Sequence, residues 1–107
     1  MPKVYIVNEG SHNYNDAKRF GELVPLSYAG RIGRYSPSVI FLEFADILKD
    51  SSKEDFILLS GLALVNAIAT GIMSRLHGNV NFLIYHQKTG AYIERNLSFL
   101  VLDKKEK

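Results

Sequence analysis

DFILLSGLALVNAIATGIMSRLHG, residues 55–78, decides the fold. Between Asp55 and Arg75 the run Phe56–Ser74 carries no charge, and its length would suit a bilayer-spanning helix. Ser60-Gly61, Asn66, Thr70 and Gly71 interrupt it, however, and no aromatic belt flanks it. Equally apolar patterns elsewhere in the chain would find no partner in lipid. The stretch therefore reads as a buried strand over about Asp55 to Leu59, a Ser60-Gly61 turn, and a helix over about Leu62 to Leu76. The helix closes on a basic last turn followed by Gly78, the residue type that takes a left-handed C-terminal position most easily.

Upstream, Lys3 to Val7 (KVYIV) is β-branched and nearly continuous in apolar character, the pattern of a strand covered on both faces. NEGSHNYND then supplies turn and capping residues, and a short helix over about Asp16 to Phe20 is expected, closed by Gly21. Glu22 to Leu26 reads as a second strand, placed at a sheet edge because Pro25 cannot donate to a ladder. After the glycine- and arginine-containing loop SYAGRIGRYSP, Ser36-Pro37 predicts a helix start. That helix runs to about Lys49, with Ile40, Phe44, Ile47 and Leu48 on one stripe. Downstream, Val80 to His86 and Ala91 to about Leu102 flank Gln87-Lys88-Thr89-Gly90, which makes a hairpin.

The order is β-α-β-α-β-α-β-β, an α/β domain over residues 1–102 with a charged, frayed tail over 103–107. Right-handed crossovers favour a small Rossmann-like or flavodoxin-like sheet of order near 2-1-3-4-5, its last strand antiparallel.

The 107 residues include 13 Lys plus Arg, 11 Asp plus Glu, three His and no Cys. Without cysteine there is no disulfide scaffold, thiol nucleophile or Cys-ligated metal centre. The formal charge of +2 gives no support to nucleic-acid binding. MPKVYIVNEG lacks the pattern of a secretory leader, so a cytoplasmic location is expected. The widely spaced histidines form no metal-ligand motif, and neither a metal nor another cofactor is expected.

In open parallel sheets ligands bind beyond the carboxyl ends of the strands. Those ends collect Asn8, Ser11, His12 and Tyr14 after the first strand, and Arg31, Arg34 and Tyr35 after the second. Ser60 and Gly61 follow the third and His86 the fourth. Such a set suits a small anion: a glycine-lined helix start for the negative charge, guanidinium groups to balance it, aromatic rings for a base. Neither a phosphate-binding loop with its lysine nor a Gly-x-Ser-x-Gly elbow is present. On the last helix Ala63, Ala67, Gly71 and Ser74 form a small-residue face, while Leu64, Ile68 and Ile72 make the other side apolar too. A helix apolar all round needs covering on both sides, which points to homo-oligomerisation through the helix Leu62 to Leu76.

KVYIVN, the His-containing loop with FGEL, DFILLSGL, the alanine-rich helix to HGNVN, and YIERN together resemble a set of small bacteriophage proteins without an assigned activity, over about residues 3–97. The resemblance implies a viral accessory protein working in the host cytoplasm. KVYIVN is also similar to the KVY-x-x-N opening of small viral ring nucleases that cut cyclic oligoadenylate. Those place Gly-His-Asp where this chain has Ser60-Gly61-Leu62, so their catalytic histidine has no counterpart. The expected function is that of a non-enzymatic, oligomeric binder of a small anionic ligand, a sponge for a nucleotide signal of host defence. Two alternatives follow: a protein–protein interaction module that inhibits or adapts a host factor, and a small nucleotide hydrolase using His12.

Overall fold

The computed structural model describes residues 1–31 and 35–102. Arg34 and the expected frayed tail 103–107 lie outside the described residues. The elements are β1 (Lys3–Ile6), a short 3-10 helix (Asn15–Arg19), β2 (Glu22–Pro25), α1 (Pro37–Leu48), β3 (Phe56–Leu58), α2 (Ala63–His77), β4 (Asn79–His86) and β5 (Ala91–Ser98). The strands form one mixed sheet of order β2-β1-β3-β4-β5. β2, β1, β3 and β4 run parallel, and β5 returns antiparallel along the whole of β4, from Asn79 opposite Ser98 to His86 opposite Ala91. Pro25 lies on the edge strand, where its missing N–H costs nothing.

Alternation along the strands sorts the core into two layers. Tyr5, Val7, Ile57, Val80 and Phe82 meet Ile40, Phe44 and Leu48 of α1 and Val65, Ala69, Ile72 and Met73 of α2. Val4, Ile6, Phe56, Leu58, Leu83 and Tyr92 face the other way, where Ala17 of the 3-10 helix is the buried cover. Here the structure corrects the expected first α-helix. Of the connection between β1 and β2 only Asn15–Arg19 is helical, and it winds as a tighter 3-10 turn, so the two faces of the sheet are unequally covered.

α1 starts as its sequence predicts: the Ser36 hydroxyl accepts from the Val39 N–H, and Pro37 takes the first helical position. α2 ends on Gly78 at φ 68°. The sheet-facing stripe of α2 is centred on Val65, Ala69, Ile72 and Met73, and Leu64 is 53% exposed. β5 stops at Ser98, four residues short of the expected end; the Phe99 N–H still donates in register to the Gly78 carbonyl, beyond which α2 occupies the place of a β4 partner. Among the described residues no helix is long and apolar enough to cross a membrane.

Candidate functional site

β1 lies between two crossovers of opposite sense: the chain leaves it for β2 over the 3-10 face, and reaches β3 over the helical face. The divergence opens a crevice beyond the carboxyl ends of β1 and β3, the position that open α/β sheets use for ligands. A pocket of about 420 Å³ occupies it. The loop after β1 supplies Asn8, Gly10, Ser11, His12, Asn13 and Tyr14, the end of β3 and the turn after it supply Leu58 to Gly61, and the hairpin supplies Tyr85 and Tyr92.

Each wall has a local cause. The Gly10 N–H donates to the Tyr14 hydroxyl at 2.9 Å, which folds the loop after β1 back on itself, and the His12 ring meets Tyr14 edge-on at 6.1 Å. At the β3 end the Asn66 side chain grips Ser60 twice, accepting its N–H and donating to its carbonyl, each at 2.9 Å. The Ser60 hydroxyl accepts from the Leu62 N–H at 3.0 Å, so the turn is tied while no side chain caps the first residues of α2. Gly61 is exposed, and a Cβ added there meets nothing within 4 Å.

The third wall depends on a contact across the molecule. Tyr85 and Tyr92 oppose each other on β4 and β5, with ring centres 5.3 Å apart. The backbone of Tyr92 turns outward from β4 and is held by the 3-10 helix: its N–H donates to Asp16 Oδ2 at 2.7 Å, and its carbonyl accepts from Arg19 Nη2 at 2.9 Å. The Tyr92 N–H, then the Arg19 side chain, keep the Asp16 carboxyl below its ordinary value. Burial, then the neighbouring Tyr14, Tyr85 and Asp16, push the Tyr92 phenol up to about 12. It therefore stays protonated, a hydrogen-bond donor, at neutral pH. Among the described residues Asn8 Oδ1 is buried without a partner.

Six of the residues proposed from strand ends meet here: Asn8, Ser11, His12, Tyr14, Ser60 and Gly61. Arg31 and Tyr35 lie outside the pocket and pair with each other, the guanidinium 5.3 Å from the ring centre. Arg31 also reaches Glu43 Oε2 at 3.3 Å, and the Tyr35 hydroxyl and then Glu43 hold its pKa up. His86 turns to Thr89 Oγ1 at 3.2 Å within its own hairpin, and Arg34 is outside the described residues. Sequence reasoning missed Tyr85 and Tyr92. Their only sequence signal is that four-residue hairpin spacing sets them opposite each other, and their place at the pocket follows from the curl of the hairpin toward the 3-10 helix.

A family model of phage Pam3 gp32-like proteins matches residues 2–99. The chain belongs to this phage protein family. The match covers every strand and both α-helices. Among curated proteins and among solved structures no match is found.

Proposed function

We propose that this phage protein is a non-enzymatic binder of a small anionic ligand, a nucleotide in the first instance, and that it sequesters such a ligand in the host cytoplasm. The observation that carries the reading is the convergence of three strand ends on one aromatic-walled pocket at the point where the crossovers diverge. Its volume lies in the range of small-molecule sites. The arrangement is that of a small Rossmann-like sheet with its first helix reduced to a 3-10 turn.

Base and phosphate have different places in it. Tyr14, Tyr85 and Tyr92 offer apolar ring surface and hydroxyls for a planar heterocycle. Gly61 and the uncapped start of α2 offer N–H groups and the positive end of a helix dipole for the anion. No Lys or Arg lines the pocket among the described residues, so these backbone groups are the anion's first partners. A binder is favoured over a hydrolase because no carboxylate stands beside His12 among the pocket residues, and a general base needs an orienting partner within hydrogen-bond reach.

The test is thermal shift with cyclic and linear nucleotides on the wild-type chain and on Gly61→Val, whose added side chain enters open space. A ligand at about 100 times its Kd adds about 2.7 kcal/mol, a rise on the order of 10 °C for a domain of this size. The wild type shows the rise, and Gly61→Val keeps its unliganded Tm and loses it. Mass spectrometry of the heated complex then returns the nucleotide intact. Absence of a shift from every nucleotide, or recovery of a cleaved product, overturns the reading.

A further inference from the structure

On the helical face, away from the pocket, α1 and α2 run side by side in the same direction, since both return from strand carboxyl ends to strand amino ends. Their outer surfaces leave a second groove of about 420 Å³ between them. Ala45, Ala67, Gly71 and the buried Ile72 line it, together with Phe41 and Leu76, each 48% exposed. Its charged residues are Lys49 and Arg75, at the shared carboxyl-terminal end of the two helices. An apolar groove this open on a small domain marks an interaction surface. Its exposed small residues Ala67 and Gly71, with nothing within 4 Å of a Cβ built on Gly71, admit the close backbone approach of another helix.

Charge selects the occupant. If a second copy docked its own helices antiparallel on this face, Lys49 and Arg75 would meet the first turns of α1 and α2, and neither first turn holds an acidic residue. The α1 carboxylates Glu43 and Asp46 already pair with Arg31 and Lys49, whereas among the described residues Arg75 has no ion pair. We propose that the groove docks an amphipathic helix of a different protein, its apolar stripe on Ala67 and Gly71 and its acidic end against Arg75. This is the helix-in-groove mode of recognition, with the register set by charge at one end. It rests on different residues from the pocket and stands whether or not a nucleotide binds there.

The experiment selects binders of the immobilised full chain from a displayed library of amphipathic helices with a constant Leu/Ala stripe and randomised charged positions. Enriched helices carry Glu or Asp clustered at one end, and as free peptides they bind at least tenfold more weakly to Arg75→Glu and to Gly71→Leu. Leucine is a better helix former than glycine and its Cβ meets nothing within 4 Å at position 71, so Gly71→Leu keeps or raises the wild-type Tm, which separates a blocked groove from a misfolded chain. Three results overturn the proposal: enrichment without charge preference, no enrichment at all, or a wild-type dimer in light scattering that Gly71→Leu converts to monomer, which would assign the groove to a second copy.

Discussion

Asp16 carries more of this structure than its place in a five-residue 3-10 helix suggests. Its two carboxylate oxygens divide between Arg19, at 3.1 Å, and the Tyr92 N–H, at 2.7 Å, so one side chain closes its own turn and fastens a hairpin 76 residues away. The folded-state pKa lies below the unfolded value. The stability from this carboxylate is therefore present above the unfolded pKa and is lost as pH falls through the folded one. A Tm series from neutral pH to below the ordinary carboxylate range checks it: the wild type loses Tm over that acid range, and Asp16→Asn starts lower and loses less. Glycines act by a different physics. A Cβ on Gly21 falls against the Pro2 carbonyl, where the chain leaving the 3-10 helix passes the start of β1; Gly21→Ala destabilises by about 1–3 kcal/mol. Gly78 holds φ 68° at the end of α2, and Gly78→Ala costs about 1–2 kcal/mol for a left-handed backbone. Urea unfolding of the two variants measures both.

Among elements, the turn from β3 into α2 is the one on which fold and candidate site both depend. β3 has only three residues, and its direction beyond the sheet is fixed by Asn66, which reaches back from the first turns of α2 to both backbone groups of Ser60. Asn66→Ala leaves those groups unpaired in a half-buried turn, at about 1–3 kcal/mol; it lowers Tm and weakens any ligand that Gly61 holds. Ser36→Ala removes one cap hydrogen bond from α1 at about 1 kcal/mol and leaves ligand binding unchanged. Measuring Tm and ligand shift on both variants distinguishes loss of the site's frame from general loss of stability. These contacts differ in legibility. Ser36-Pro37 is a local signal, read correctly from neighbouring residues, whereas Asn66 on the helix gave no hint that its side chain would serve the turn before it.

At the scale of the whole molecule, the sheet separates two surfaces. Crossovers of opposite sense open the pocket at the carboxyl ends of β1 and β3, and parallel packing of α1 on α2 leaves the groove on the helical face. They are expected to respond independently: Gly61→Val abolishes the nucleotide-induced Tm rise and leaves helix binding intact, and Gly71→Leu does the reverse. The family match over residues 2–99 embraces both surfaces. The apolar surplus between Phe56 and Ser74, which on composition argued for a second copy, is divided by the fold. Ile57, Val65, Ala69, Ile72 and Met73 are in the core, and Leu64, Ala67 and Gly71 are outside. By itself the sequence determined the strands, the two long helices and the strand order 2-1-3-4-5, though neither the 3-10 form of the first helix nor the end of β5, and it named six residues at strand ends that line the pocket, because apolar periodicity, capping residues and right-handed crossovers are local or chirally constrained. Only the tertiary structure decided that Arg31 and Tyr35 turn to each other, that two hairpin tyrosines join the pocket, and which stripe of α2 faces outward. Those depend on sheet twist and on side-chain contacts between residues distant in the chain, and no short-range pattern encodes them.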